Sequence, residues 1–220
     1  MGQILDALAQ LLDLDAAATR TTYLPVVREL VLEGSWRTDM AVEVVAYRDE
    51  WPARFDEVAR DLRRALADVA SARVEHVGST SVPGLAAKPV LDIDVIVDAV
   101  DMDLAVAALE RVGYRHRGDL GVTGREAFTP PGDGPARNVY VCLDGTVNVR
   151  NHLAVRDVLR RRDDLRDEYA AVKTGLAADP TMDIDTYIAR KSQVLQKVLA
   201  ESDLTDDERR AIRQLNDPSA

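Results

Sequence analysis

The sequence has little of what marks several common classes of protein. Its single cysteine, Cys142, excludes an internal disulfide and a cysteine-rich zinc site. Aromatic residues make up only 5% of the chain and the formal net charge is −10, whereas general nucleic-acid binders present a basic surface. No apolar run reaches the ~18 residues of a membrane span, and no basic segment followed by an apolar one opens the chain. We therefore expect a cytoplasmic protein without a membrane partner, and we do not expect nucleic acid as its partner.

What the chain does have is enough apolar material for a core, since 46% of its 220 residues are hydrophobic. Ahead of the main pattern, residues 3–19 and 23–31 repeat apolar residues at helical spacing, and Gly34 marks the end of the second stretch. We therefore predict a helical pair within residues 1–40. Its apolar stripe fits packing against the domain that follows, and it also fits a homodimer formed through these helices.

Strands and helices alternate over residues 41–150, and helices alone follow over residues 151–216. β-Branched stretches predict strands, and apolar residues at helical spacing predict helices. The strands are expected at 42–47, 74–77, 90–97, 139–143 and 146–149, and the helices of the first part at 51–69 and 104–112. Asp144-Gly145 is a strong turn signal, so the last two strands are predicted to form a hairpin. The expected fold class is α+β: a mixed β-sheet flanked by helices, with the N-terminal helical pair and a C-terminal helical bundle.

Two aspartates interrupt the most apolar of these strands. Asp92 and Asp94 are two residues apart, so their side chains project from the same face. Adjacent carboxylates in an apolar strand repel each other and lose hydration, which is costly unless a cation lies between them. Mg²⁺ takes oxygen ligands and is commonly shared between carboxylates and substrate phosphates. We predict Asp92 and Asp94 as metal ligands and as the catalytic pair, with Mg²⁺ or Mn²⁺ as the ion. The alternative without a functional role is an exposed strand face on which the two aspartates are solvated.

A glycine-serine turn precedes this strand in the sequence. A strand that ends in Gly78-Ser79 directs backbone N–H groups and a hydroxyl toward an anion. Alone, such a pair is more often a turn and a helix cap. Together with the aspartate pair, it predicts nucleotide phosphates bound by Gly78, Ser79, Thr80 and Ser81. Lys88 can reach the same phosphates, although a solvated loop lysine fits it equally well.

The run Gly78-Ser79-Thr80-Ser81-Val82-Pro83-Gly84-Leu85-Ala86-Ala87-Lys88-Pro89, followed by Asp92-Ile93, closely resembles the GrpB (UPF0157) family. The resemblance extends over about residues 43–200 and includes Arg156-Asp157 followed by Leu159-Arg160. Tyr169 with Lys173, and Tyr187 with Lys191, are similar to two Tyr-x-x-x-Lys helices of that family. The resemblance implies the fold of the nucleotidyltransferase superfamily and implies little about the substrate.

The two Tyr-x-x-x-Lys pairs also suit a phosphate site on physical grounds. Lys191 interrupts an apolar helical stripe, and Tyr187 lies on the same helix face four residues earlier. A lysine on such a stripe either extends to the edge of the helix or points into a cleft. We predict Tyr187, Lys191 and Lys173 as nucleotide-binding residues, with the lysines neutralising a triphosphate. Solvated lysines beside core tyrosines are the alternative.

The chain departs from the superfamily pattern in one respect. Active nucleotidyltransferases usually carry a third carboxylate on a neighbouring strand, and here that strand has Asn138 and Tyr140 where the GrpB pattern has histidines. The nearest acids, Glu126 and Asp144, fall in a predicted loop and turn. This difference leaves two-metal catalysis in question.

Three further residues are candidates for the site. His76 precedes the glycine turn and suits a general base or a phosphate contact, or a structural hydrogen bond. Arg150 and His152 lie at a predicted junction between strand and helix, where Arg150 suits an anion ligand.

Three hypotheses for the function follow. The first is an Mg²⁺-dependent enzyme that transfers a nucleotidyl group from an NTP, expected to be ATP, to a small-molecule acceptor. The second is a nucleotide-binding or regulatory module that has kept the fold and lost turnover. The third is a ligase-like enzyme that activates a carboxylate by adenylation.

Overall fold

A computed structural model describes residues 44–132, 134–178 and 184–216, and the side chains of 44–132, 134–175 and 192–213. The predicted N-terminal helical pair and the homodimer contact proposed for it lie outside these ranges. The elements in chain order are α1 (Trp51–Ala65), β1 (Arg73–Val77), β2 (Leu91–Val97), α2 (Met102–Arg111), β3 (Arg115–His116), β4 (Arg125–Thr129), β5 (Arg137–Leu143), α3 (Val147–Arg161), α4 (Asp163–Ala178), α5 (Ile184–Ala200) and α6 (Asp206–Asn216).

The five described strands form one mixed sheet in the order β1-β2-β5-β4-β3. Strand β2 is antiparallel to β1 and parallel to β5. The β4–β5 and β3–β4 pairs are antiparallel. Strand β2 is an interior strand, paired on both edges, and all of its residues except Asp92 are buried, which explains why its sequence is largely apolar on both faces. The predicted α+β class, with a mixed sheet flanked by helices, is confirmed.

The two faces of the sheet bury different chemistry, because side chains alternate along each strand. On one face, Ile93 of β2 and Val139 of β5 join the largest apolar cluster, which includes Trp51 and Leu62 of α1 and Leu109 of α2. Asp92, Asp94, Asn138 and Tyr140 belong to the opposite set of positions. On that side, α3, α4 and α5 form a second apolar cluster with the loop residues Val82 and Leu85. The polar face is therefore enclosed between the sheet and the C-terminal helices.

Two predicted strands are wrong or reduced. Residues 146–149 do not pair with β5 as a hairpin, because Val147 begins helix α3. The turn at Asp144-Gly145 does exist, with φ +74° at Gly145, but both edges of β5 are already occupied by β2 and β4. Of the strand predicted at 42–47, the described part contributes one antiparallel bridge between Val45 and Ala87.

The other predicted strands and helices of residues 51–112 are observed, with ends shifted by a few residues. The division of the chain at residue 150 stays a prediction. Within the described residues, no helix combines the length and the apolar character needed to cross a bilayer.

Replacing Ile93 by alanine tests the burial of β2 in the core. Ile93 has no exposed surface, so Ile93→Ala should lower the free energy of unfolding by about 2–5 kcal/mol because it opens a cavity. Urea unfolding measures the change. Val100→Ala is the control, since Val100 is 89% exposed and its truncation should change the stability by less than about 0.5 kcal/mol. Equal effects of the two substitutions would contradict this placement.

Candidate active site

The site is built on the two carboxylates of β2. Asp92 and Asp94 lie on the same face of the strand, as predicted, and face outward from the main core. The parallel register with β5 places Asn138 opposite Asp92 and Tyr140 opposite Asp94. Asp92 is half-buried and Asp94 is completely buried. The exposed strand face considered as the alternative is therefore not what the fold provides.

The two carboxylate oxygens of Asp94 have different surroundings. His152 Nδ1–H donates a hydrogen bond of 2.7 Å to its Oδ2. Its Oδ1 is buried and accepts no hydrogen bond of normal geometry within the described residues. The Cys142 thiol, a weak donor, lies close enough to interact with this carboxylate. An oxygen so poorly satisfied is costly for a carboxylate. Burial alone would lower the pKa of His152, but the hydrogen bond with Asp94 and the charges of Asp94 and Asp92 raise it above its usual value. Helix α3 thus supplies the histidine that orients the inner carboxylate.

Asp92 is surrounded by groups of both signs. Its Oδ1 accepts a hydrogen bond of 2.8 Å from Asn138 Nδ2. Burial is the main cause that raises its pKa, and Asp94 adds to the rise, while Asn138, His152 and Lys173 oppose it. The neighbours that favour the carboxylate do not fully offset its loss of hydration, so a bound cation would stabilise the ionised form.

The glycine turn lies directly against Asp92. Gly78 has φ +68°, a left-handed conformation that favours glycine. A Cβ atom at this position would lie 2.2 Å from Asp92 Oδ2, far inside van der Waals contact. Two independent features therefore require glycine at position 78: the backbone conformation and the close approach of the Asp92 carboxylate.

The three hydroxyl residues that follow form a 3₁₀ turn and have different roles. Ser79 faces the cavity beside the carboxylates. Thr80 is buried and donates to the carbonyl oxygen of Val90 at 3.3 Å. Ser81 is buried as well, and its hydroxyl donates to the carbonyl oxygen of Gly78 at 2.6 Å. Of the predicted phosphate-binding hydroxyls, Ser81 therefore holds the turn together and does not line the cavity.

Helix α3 holds this turn from behind through two arginines one helical turn apart. Arg160 donates two hydrogen bonds, of 3.0 and 2.9 Å, to the carbonyl oxygen of Ser81. Arg156 donates to Glu75 Oε2 at 2.6 Å and to the carbonyl oxygen of His76 at 3.2 Å. The Arg-Asp-x-Leu-Arg segment, noted in the sequence only as a resemblance, is thus a clamp on the end of β1.

His76 belongs to this support and not to the cavity wall. Its Nε2 lies 3.0 Å from Thr80 Oγ1, and its ring stacks on Phe55 with 4.5 Å between ring centroids. Burial, together with the charges of Arg160 and Arg156, lowers its pKa from 6.5 to about 4. At neutral pH it is therefore uncharged, which fits the structural hydrogen bond considered as its alternative role.

A cavity of about 290 Å³ opens beside Asp92, and five of the predicted site residues line it: Ser79, Thr80, Lys88, Asp92 and Lys173. Lys173, only 8% exposed, reaches it from α4 and donates to Ser79 Oγ and to the carbonyl oxygen of Ala86, both at 2.7 Å. Its ammonium lies 5.3 Å from the ring centroid of Tyr169. The lining residues are Val44, Ser79, Thr80, Ala87, Lys88, Val90, Asp92, Asn138, Tyr169 and Lys173.

Arg150 and Glu126 do not line this cavity. Arg150 forms an ion pair with Glu208 of α6 and lines a separate cavity between α3 and the turn after α5. The side chains of Tyr187 and Lys191 lie outside the described residues, so their assignment stays a prediction. Glu126 pairs with His116 at 2.6 Å, away from the aspartates.

Two features of the site were not predicted from the sequence. Asn138 was noted only for the carboxylate it replaces, whereas its amide binds Asp92 directly. Arg125 of β4 lies 4.8 Å from the ring centroid of Tyr140. Its positive charge partly opposes the rise in the pKa of His152 that Asp94 and Asp92 cause. Arg125 lies within residues 114–134, a stretch rich in glycine and proline for which the sequence predicts loops and short strands without their bounds.

The donor atoms fit one divalent cation better than a complete protein-made metal site. The poorly satisfied Asp94 Oδ1 is an oxygen ligand of the kind that Mg²⁺ takes, and Asp92 supplies a second carboxylate. Across the described side chains, no three of the histidine, cysteine, aspartate and glutamate residues are grouped as a metal site. Substrate phosphates or water would have to complete the coordination, as is common for Mg²⁺.

Comparison with known proteins gives consistent relatives. The model of the GrpB protein family matches residues 41–201. UPF0157 protein BH1888 of Halalkalibacterium halodurans is 37% identical over 75% of this chain and 84% of its own length. The crystal structure of conserved protein GrpB from Enterococcus faecalis is similar with a TM-score of 0.61 and 34% identity, over 72% of this chain and 98% of that one. The GLD-2/RNP-8 complex is similar in fold alone, with a TM-score of 0.50 and 14% identity over 69% of this chain and 51% of that one.

Replacing Gly78 by alanine separates the two reasons for a glycine. Gly118→Ala is the matched control, because Gly118 also has a positive φ of +74° but no atom within 4 Å of an added Cβ. Gly118→Ala should cost about 1 kcal/mol through backbone conformation alone. Gly78→Ala should cost about 1–3 kcal/mol more, since the new methyl group displaces Asp92. Urea unfolding measures the loss in free energy of unfolding for both variants. Equal losses would argue against a close approach of Gly78 to Asp92.

The lowered pKa of His76 predicts how stability depends on pH. The unfolded chain binds a proton at His76 near pH 6.5 and the folded chain only near pH 4, so the stabilising contribution is complete above pH 6.5 and is lost as the pH falls toward 4. The loss should reach roughly 3 kcal/mol. His76→Gln removes this contribution. The free energy of unfolding should therefore fall less steeply between pH 6.5 and 4 in the variant than in the parent, and parallel profiles would refute the assignment.

Proposed function

This chain belongs to the GrpB family, and on that premise we propose that it is an Mg²⁺-dependent nucleotidyltransferase that acts on an NTP and a small-molecule acceptor. Its nucleotidyltransferase-like fold is consistent with the reaction class. The observation that carries the proposal is the carboxylate pair on β2. Asp94 is fully buried with an oxygen that lacks a hydrogen bond of normal geometry among the described residues, and Asp92 lines a cavity that also holds two lysines and a serine. This combination of negative and positive groups suits a metal-bound polyphosphate.

Each part of the site has a role under this proposal. Asp92 and Asp94 would hold Mg²⁺ together with the phosphates, and the ion would neutralise the negative charge that develops on the phosphates. Lys173 stays on Ser79 and faces the same phosphates from the opposite side of the cavity, with Lys88 at the rim. Tyr169 provides an aromatic wall. The gain in rate would come mainly from positioning and charge neutralisation.

The support behind the cavity matters because positioning demands rigidity. Ser79 sits on a turn that Arg160 and Arg156 tie to helix α3. The same helix carries His152, which orients Asp94. One helix therefore sets both the phosphate-binding turn and the inner carboxylate, so the two halves of the site keep a constant separation.

A second candidate is favoured by one specific residue. Asn138 occupies the strand position opposite Asp92, where an active nucleotidyltransferase would be expected to carry its third carboxylate. A chain without that group fits a nucleotide-binding module that does not turn over. Such a module would bind NTP through the same residues and release no pyrophosphate with any acceptor.

Thermal unfolding with each of the four NTPs, with and without Mg²⁺, tests the proposal. One nucleotide, expected to be ATP, should raise the melting temperature only with Mg²⁺; at a hundredfold excess over Kd the gain is about 2.7 kcal/mol, or roughly 5–10 °C. Asp92→Asn should abolish this shift. Asp98→Asn, which removes an exposed carboxylate just after β2, should leave it intact.

The outcomes separate the candidates. A shift accompanied by pyrophosphate release with some acceptor supports the transferase, and a shift without release supports the binding module. If no nucleotide changes the melting temperature, or if Asp92→Asn responds like the parent chain, the nucleotide site is wrong.

A further inference from the structure

We infer that the carboxylate pair holds one divalent cation and not two, and that the amide at Asn138 sets this number. The inference rests on the proposed function, because it concerns the ion that would bind the nucleotide phosphates. It goes beyond that function by stating the stoichiometry of the site and the residue that determines it.

One oxygen of each carboxylate already accepts a hydrogen bond. Asn138 directs an N–H at Asp92 Oδ1 from 2.8 Å, and His152 directs one at Asp94 Oδ2 from 2.7 Å. Each N–H occupies one lone pair of its oxygen and places partial positive charge beside it, which disfavours a cation on that oxygen. The other oxygen of each carboxylate is the better ligand, and that of Asp94 is buried without a hydrogen bond of normal geometry in the described part of the chain. One cation shared by the pair would satisfy it.

The second argument is the charge balance. Two carboxylates neutralise one divalent cation, and a second cation would leave an excess of positive charge in a poorly hydrated site. Positive side chains are already close, since Lys173 lines the same cavity as Asp92 and Arg125 lies 4.8 Å from the ring centroid of Tyr140, the strand partner of Asp94. The local field therefore opposes a second ion.

The third argument is the register of the sheet. Two-metal sites place their ions about 3.5–4 Å apart with carboxylates on both sides. Asn138 is the direct partner of Asp92 across the β2–β5 pair, so a carboxylate at 138 would lie beside Asp92 and complete such a clamp. The amide has nearly the same shape, carries no charge and donates its hydrogen bond instead.

Titration with Mn²⁺ alone, without nucleotide, tests the number directly. Electron paramagnetic resonance counts free Mn²⁺, and calorimetry gives the stoichiometry independently. The parent chain should bind one Mn²⁺, Asn138→Asp should bind two, and Asp94→Asn should weaken the single site at least tenfold. Val100→Asp is the matched control for added charge, because position 100 is 89% exposed, and it should still bind one.

A second measurement guards against a variant that does not fold. Asn138→Asp places a third carboxylate next to the pair, so its melting temperature without metal should fall below that of the parent. Mn²⁺ should restore it, and the rise per decade of Mn²⁺ should be steeper than in the parent because two ions bind the folded state. Val100→Asp should show the slope of the parent.

Two results would overturn the inference while leaving the proposed function in place. One is a parent chain that binds two Mn²⁺ and still shows the nucleotide shift. The other is Asn138→Asp that is folded, binds a single Mn²⁺ and responds to Mn²⁺ with the slope of the parent. A parent chain that binds neither Mn²⁺ nor any nucleotide overturns the proposed function and this inference with it.

Discussion

The repulsion between two carboxylates on a buried strand is the constraint on which the rest of the site depends. Asp92 and Asp94 occupy one face of a strand whose other face is core, where loss of hydration penalises both charges. The surrounding groups are arranged against that penalty: an amide from β5, an imidazole from α3 and an ammonium from α4. One inner oxygen still accepts no hydrogen bond of normal geometry among the described residues, and this residual cost is what makes the pair a candidate cation site.

The same constraint explains why the surroundings are rigid. A carboxylate pair gains from a cation only if both oxygens stay in place, and Gly78 lies so close to Asp92 that any movement of the turn would move the carboxylate. Arg156 and Arg160 fix that turn by binding its carbonyl oxygens and the end of β1. Guanidinium groups suit this task because their several N–H donors have fixed directions. The two arginines of the Arg-Asp-x-Leu-Arg segment therefore serve as structural supports.

Much of the fold followed from local pattern. Helix α1 and strands β1 and β2 have apolar spacings that only one element type satisfies, and their packing agrees with those spacings. The hairpin after β5 failed for a nonlocal reason. Val147 to Val149 have side chains that suit a strand, but β5 already pairs on both edges, so the segment continues as helix, with Val149 buried against Ile96 and Cys142. Competition for the edges of a strand is invisible in a local window.

The sequence by itself determined the carboxylate pair, the glycine turn and their shared face, because a two-residue period and a glycine at a positive φ are local properties. Only the tertiary structure decided which oxygen each neighbour binds. The partners of Asp92 and Asp94 lie 46 and 58 residues away, and parallel pairing of β2 with β5 brings an amide to the position where a third carboxylate was sought. It also separated Ser79 and Lys173, which face the cavity, from Ser81, His76 and Arg150, which do not. Such choices depend on sheet register and helix packing, which no spacing along the chain encodes.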